Sequence, residues 1–236
     1  KTAYAVFKLK FDKNFNLKTA YAVFRDRGRG ELSPRGGIGG NTPKVLTGES
    51  RMVSNYNEIL HENAEIRTAR LVLRKFRKED AADVFEYASD EETMKFLTVG
   101  THPSIDVSRG VIFNYFLSRT GIFAIEFDKK CIGCMDFRID HEDEKGSFGY
   151  VLNRKYWGRG FMTEALTAVL ELAFEKLELN RVESTHYVGN EGSGRVMQKC
   201  GMKFEGVGIR EKKIKGVFRD VVHYAILKEH FRGGQK

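Results

Sequence analysis

The 236-residue sequence predicts a mixed α/β (α+β) domain, a mostly antiparallel sheet of about seven strands flanked by about four helices. Three observations carry that expectation. Short alternating apolar runs bounded by turn residues recur between residues 121 and 152; a long amphipathic helix follows them at once; and the apolar period changes several more times before the chain ends. With 41% hydrophobic residues, the chain can bury a substantial core and fits one domain plus an appendage.

The appendage comes first. KTAYAVF occurs at 1–7 and again at 18–24, with the turn-like DKNFN between the copies, which reads as a two-stranded hairpin. Such a hairpin is too small to stand alone. From Arg25 to Ser50 the sequence is glycine-rich, holds two of the three prolines and lacks periodicity, as a linker does. Residues 1–51 are therefore separated from a main domain at 52–236, with Met52 as a natural start. A verbatim repeat ahead of a linker also fits appended or out-of-frame sequence, so residues 1–51 are kept out of the chemistry.

In the main domain, RLVLRKF (70–76) alternates as a strand, and Ala81, Val84, Phe85 and Ala88 share one face of a helix over 79–88. Pro103-Ser104 signals the start of a second helix, over 105–118. Strands are expected at 121–127, 131–139 and 146–152, the first two joined by Asp128-Lys129-Lys130. Met162, Ala165, Leu166, Val169, Leu170, Ala173 and Leu177 recur at helical spacing. A strand at 181–188, a short helix near 191–200 and strands at 202–209 and 217–227 complete the order β-α-α-β-β-β-α-β-α-β-β. That order excludes a doubly wound dinucleotide fold.

The net charge of +8 is unevenly spread. Residues 1–51 hold eleven Lys/Arg and four Asp/Glu, a net of +7, which leaves the other 185 residues at about +1. A nucleic-acid partner is therefore not expected for the main domain. No apolar run approaches the roughly 20 residues that cross a bilayer, and no secretory signal pattern opens the chain, so a cytoplasmic location is the default expectation. The three cysteines fit a reducing compartment. Cys131 and Cys134 form a C-x-x-C in a strand-like run, but no second pair stands at zinc spacing, and His141 and Cys200 are poor completions; no metal is expected.

The most informative stretch is FGYVLNRKYWGRGFMTEAL (148–166), where an apolar strand passes through a glycine-broken turn into an amphipathic helix. Gly158 and Gly160 remove side chains where backbone N–H groups converge, and the helix adds its unpaired first-turn donors and positive dipole end. This suits a phosphate or pyrophosphate. The turn lacks the third glycine of a dinucleotide fingerprint, where Thr163 stands, and the Gly-Lys-Ser/Thr of a P-loop.

RTARLVLRKF-x-x-x-D, Y-W-G-R-G-F-M-T-E-A and N-x-x-S-x-R-V-M-x-K-C-G-M-K-x-E-G, in this order over about residues 65–230, resemble the GNAT acyltransferase superfamily. The chain is more narrowly similar to the RimJ/RimL-like branch of ribosomal-protein-alanine N-acetyltransferases. The resemblance implies a GNAT fold with acetyl-CoA beside the strand at 146–152. The implied cofactor-binding residues are Val151, Lys155, Trp157, Gly158, Arg159, Gly160, Phe161, Met162, Asn190 and Ser193. Lys155 stands where the family has Gln or Arg, which keeps a charge but loses a planar fork. Arg159 either touches phosphate or stays solvated; Trp157 and Tyr156 either cover the cofactor or pack beneath the turn.

Asn190 and Ser193 also fit ordinary helix capping. The resemblance instead places Asn190 on the CoA arm and gives Ser193 the role of acid toward the departing thiolate, because Met197 stands where many relatives have tyrosine. Val196, Met197 and Cys200 read as packing. Glu211 and His186 are the candidates for a general base, each with a structural or exposed alternative. The region Thr98–Ser104 is where relatives often admit the acceptor.

The implied reaction is direct attack of a neutral amine on the thioester. Deprotonating an α-amine at pH 7 costs about 1 kcal/mol, against about 4.6 for a lysine. The absence of an evident strong base in the strands suits an α-amine or a water-relayed base. A protein N-terminus is thus the expected acceptor, with a small amine such as an amino sugar, polyamine or antibiotic as the alternative. A third possibility, of another class, is an RNA- or ribosome-binding protein acting through its basic leader. The protein is expected to be a monomer or homodimer.

Overall fold

The computed structural model describes residues 48–231, with side chains from Asn55 onward. The repeat at 1–24 and most of the linker fall outside the described residues. Helix α1 (Gly48–Glu62) precedes strands β1 (Ile66–Arg67) and β2 (Val72–Arg74). A 3-10 turn (Lys78–Asp80) leads into α2 (Ala81–Ala88), α3 (Glu91–Met94) and α4 (Ile105–Val111), which widens into a π-helical turn at Ile112–Phe116. Strands β3 (Ile122–Phe127), β4 (Lys130–Asp140) and β5 (Lys145–Leu152) follow, then a 3-10 turn (Arg154–Tyr156) and α5 (Phe161–Glu171), which ends in a second π-helical turn at Leu172–Lys176. The order closes with β6 (Arg181–Tyr187), α6 (Glu191–Lys199), β7 (Lys203–Ile214) and β8 (Val217–Leu227).

Among the described residues one sheet contains all eight strands in the order β1-β2-β3-β4-β5-β6-β8-β7, and only β5 and β6 run parallel. The mixed, mostly antiparallel class expected from sequence is what forms. The differences are local. The strand expected at 70–76 shrinks to Val72–Arg74 because Arg70 is drawn out of it by Glu164, and the strand expected at 202–209 runs on to Ile214 through a bulge between Gly208 and Lys212. Helices α1 and α3 and the two-residue β1 bring the described elements to six helices and eight strands. Short α3 is held by Asp90, whose carboxylate accepts from the Thr93 N–H at 2.9 Å and its hydroxyl at 2.6 Å.

Two apolar layers lie against this sheet. On one face Leu73, Ile125, Met135 and Phe137 pack under Tyr56 and Leu60 of α1, Ala165, Leu166 and Val169 of α5, and Met197 of α6. On the other, Ile122, Ala124, Cys134 and Val151 pack under Val84 and Tyr87 of α2 and Ile112 and Tyr115 of the α4 segment. Each fully buried aliphatic side chain contributes on the order of 1.5–3 kcal/mol. A buried ion pair fastens α2 to the sheet: Arg74 meets Asp80 through two 2.8 Å bonds and Glu126 at 2.6 Å.

The β5–β6 ladder is short. Pairing holds from Lys145↔Arg181 to Ser147↔Glu183 and then stops. At that point the Ser184 hydroxyl donates to the Phe148 carbonyl at 2.8 Å, so a side chain takes an acceptor that the ladder would otherwise use. Beyond it the strands splay, and the elements that follow them, the glycine turn and the start of α6, stand on either side of the opening.

Candidate active site

The turn after β5 has the conformation its glycines require. Gly158 (φ 74°) and Gly160 (φ 79°) are left-handed. A Cβ built on Gly158 would meet no atom within 4 Å, and one on Gly160 only an Arg70 nitrogen at 3.5 Å. Packing with the protein therefore does not exclude a side chain here. Among the described residues, no backbone hydrogen bond engages the N–H groups from Gly158 to Thr163; the first is Glu164 N–H to the Gly160 carbonyl at 3.0 Å. That row of donors at the start of α5 fits an anionic group.

Cations flank the turn. The Arg70 guanidinium lies 4.4 Å from the Phe161 ring centroid and donates to the Arg159 carbonyl at 3.0 Å. Arg159 stacks 4.8 Å from Phe161 and 5.6 Å from both Phe127 and Tyr156, an aromatic seat outside the two expectations of phosphate contact or simple solvation. Glu164 fixes Arg70 in place, accepting from its N–H at 2.8 Å and its Nε at 2.6 Å, with the Thr68 hydroxyl also at 2.6 Å. Burial opposes the charge of Glu164, but these hydrogen bonds outweigh it and hold its carboxyl below the usual range.

Other residues of the turn look inward. Trp157 donates Nε1–H to the Leu152 carbonyl at 2.7 Å and packs against both apolar layers. Phe161, Met162 and Val151 are buried. Lys155 pairs with Glu86 at 2.9 Å, alongside Lys130 and the Asn153 amide. Lys130 and then Lys155 lower the Glu86 carboxyl to about 2. The Lys155 ammonium is thus drawn toward Glu86 of α2.

Across the splay, Asn190 precedes α6 and its Nδ2 donates to Ser193 Oγ at 3.3 Å. The serine oxygen accepts that bond and retains its own proton to donate. Both residues are buried, at 1% and 0% exposure. Tyr150, from β5, donates to the Ser193 carbonyl at 3.3 Å and so ties the two sides of the opening together. Cys200 does not join them: it lies against Thr167 and the Thr163 carbonyl, and burial pushes its thiol up to about 11.

The two base candidates fall on opposite faces. His186 lies under α6, so close that a Cβ on Gly194 would be 2.8 Å from its Nε2, while Nδ1 meets the Tyr187 carbonyl at 3.0 Å. Burial lowers its pKa, which keeps it neutral and packed. Glu211 sits in the bulge of β7 on the other face, where its Oε2 meets His223 Nε2 at 2.6 Å. Tyr187 faces the same side, in a small cluster with Ile214 and Val221. Burial, and then the charge of Glu211, raise the Tyr187 phenol, which stays protonated.

Asp136 is an acid that sequence inspection missed. It lies on β4 opposite Gly149, one pair beyond the start of the splay, and is 2% exposed. Tyr115 Oη and Arg138 Nε each approach it at 3.4 Å. Burial raises its carboxyl, against the opposing charges of Arg138 and Arg119. Within CIGCMDFRI only strand register could have marked it, since Cys134 and Asp136 face α2 and the α4 segment while Met135 and Phe137 face the other layer. Cys131 and Cys134 share that face, with thiols raised by burial.

The profile described as "Acetyltransferase (GNAT) domain" matches residues 70–203. The chain is 30% identical over 173 residues to "Uncharacterized N-acetyltransferase p20" of Bacillus licheniformis, covering 70% of this chain and 97% of that one. It is 32% identical over 167 residues to "Uncharacterized N-acetyltransferase YnaD" of Bacillus subtilis, covering 70% and 98%. Among solved structures, an acetyltransferase (GNAT family) from Bacillus anthracis superposes with a TM-score of 0.65 at 29% identity, covering 70% of this chain and 99% of that one. The chain belongs to the GNAT acetyltransferase family and is an N-acetyltransferase.

Proposed function

We propose that this enzyme takes the acetyl group of acetyl-CoA and transfers it to the α-amino group of a protein N-terminus. One observation carries the reading: the β5–β6 splay has helix-start donors and Ser193 on one face and Glu211 with His223 on the other. Acetyl-CoA supplies the activated acyl thioester. Gly158, Gly160 and the first turn of α5 would hold its pyrophosphate, with Arg70 and Arg159 adding positive field. Asn190 would hold the arm, and the Ser193 hydroxyl would donate toward the departing sulfur. Glu211, oriented by His223, would receive the proton from the incoming amine.

An α-amine needs only modest help of this kind, since its deprotonation at pH 7 costs about 1 kcal/mol. Relatives point to two acceptor classes. "Putative ribosomal N-acetyltransferase YdaF" of Bacillus subtilis is 35% identical over 95 residues, and "Spermidine N(1)-acetyltransferase" of Escherichia coli is 24% identical over 115. The higher identity favours the protein acceptor. Incubation with acetyl-CoA against Ser- and Ala-starting peptides and small amines, read by thiol release, tests the assignment. Turnover with peptides is expected; turnover confined to small amines would overturn it.

A further inference from the structure

A cavity of about 320 Å³ opens beside the end of β6. Its volume lies near the lower end of the roughly 300–1,000 Å³ typical of ligand pockets. Lys95 and Phe96 at the end of α3 form one wall, Lys215 and Arg219 of the β7–β8 hairpin the other, and Tyr187 and Gly189 the floor. Because alternate residues of β6 face opposite sides and His186 is under α6, Tyr187 faces away from the helix starts. The cavity therefore approaches the splay from the Glu211 side, and Gly189 is adjacent to Asn190.

Its charge is one-sided. Among the described residues three cations line it, and no acidic residue does. Among the described residues Arg219 has no ion-pair partner. Among the described residues Lys215 donates only to the Met94 carbonyl, at 3.0 Å, and burial pulls its ammonium below the usual range. A partly buried ammonium answered only by a carbonyl gains more from an incoming carboxylate than a solvated one does. Lys95 shares its charge with Glu92 at 3.5 Å. The Tyr187 hydroxyl is buried without a hydrogen-bond partner among the described residues, so the floor carries a donor that a polar group would satisfy.

We infer that this cavity is the seat of the acceptor chain just behind its reacting terminus, and that it selects acceptors whose early residues are acidic. The inference rests on the N-terminal reading above. It names Lys95, Lys215 and Arg219 as specificity residues, and it disfavours polycationic acceptors by like-charge repulsion.

The test separates binding from turnover. Eight-residue Ser-starting peptides, labelled at the C-terminus and carrying either Asp/Glu or Lys at their third to sixth positions, are titrated with the protein by fluorescence anisotropy in the presence of CoA. The acidic peptide is expected to bind about tenfold or more tightly, with affinity falling as salt rises. Lys95→Glu combined with Arg219→Glu is expected to reverse the order while acetyl-CoA affinity and the melting temperature hold, which shows that the variant is folded. Equal binding of the two peptides, no reversal in the variant, or displacement of the acidic peptide by single-stranded RNA at equal charge concentration would overturn the inference. Thiol release from the same peptides reports on the N-terminal reading separately. A protein that binds acidic peptides without acetylating them retains the charge preference and loses the assigned reaction.

Discussion

The Tyr150 hydroxyl donates to the Ser193 carbonyl at 3.3 Å, joining β5 to the first turn of α6 over the gap where β5 and β6 no longer pair. It is a buried bond between the two elements that would grip the cofactor, and it restrains the serine assigned to protonate the leaving sulfur. Tyr150→Phe removes the bond and keeps the ring in its layer, at a cost of about 1 kcal/mol in stability. Turnover is expected to fall with little change in acetyl-CoA affinity. Ser193→Ala is expected to lower turnover further without an equal loss of stability. Stopped-flow thiol release and urea unfolding on both variants check this; a normal rate in Ser193→Ala would reduce the residue to a helix-start role.

Gly158 separates conformational strain from ligand contact. At φ 74° any side chain costs about 1–2 kcal/mol, yet an added Cβ touches no atom of the described residues. Gly158→Val is thus expected to lower stability by that amount and to abolish measurable acetyl-CoA binding, because the branched side chain occupies the space the phosphates need. Calorimetric titration with thermal unfolding distinguishes the two effects. Near-normal affinity would remove the phosphate assignment from this turn.

Much of this was legible in advance, and the limits have physical causes. The helix over 161–176 announced itself by one strongly apolar face, and the strands at 122–152 by short apolar runs bounded by turn residues. The glycine turn was visible because left-handed backbone leaves a mark on sequence. Lys155, which the resemblance sets at the cofactor, meets Glu86, far off in sequence, at 2.9 Å. Arg70 was overlooked for the converse reason, since Glu164, 94 residues away, brings it to the turn. His186 and Tyr187, adjacent in sequence, land on opposite faces, which only the register of β6 decides. Tertiary ion pairs and strand parity were the missing information.

Glu211 and His223 form a 2.6 Å pair on the face proposed to meet the acceptor. Glu211→Gln is expected to cut the peptide acetylation rate by about 10² at pH 7 while leaving acetyl-CoA affinity unchanged. As pH rises past the α-amine pKa of about 7.8, the acceptor deprotonates unaided and the defect is expected to shrink. His223→Asn, which acts through Glu211, is expected to give a smaller loss and an altered pH profile. A pH-independent defect in Glu211→Gln would indicate a positioning role without proton transfer.

Asp136 gives the protein a pH-dependent stability of predictable sign. Burial raises its folded-state pKa above the ordinary 3.8, so between 3.8 and the folded value the native state binds more protons than the unfolded state. Its stabilising contribution is complete below 3.8 and is lost as pH rises through the folded pKa, where ionisation leaves a buried carboxylate facing Tyr115 and Arg138. Asp136→Asn resembles the protonated acid and lacks this loss. The variant is therefore expected to gain stability relative to the parent as pH increases from about 4 to 8, the difference reading as diverging urea midpoints. Midpoints that stay parallel across this range, or that diverge in favour of the parent, would mean that Arg138 and Arg119 outweigh burial and keep Asp136 ionised throughout.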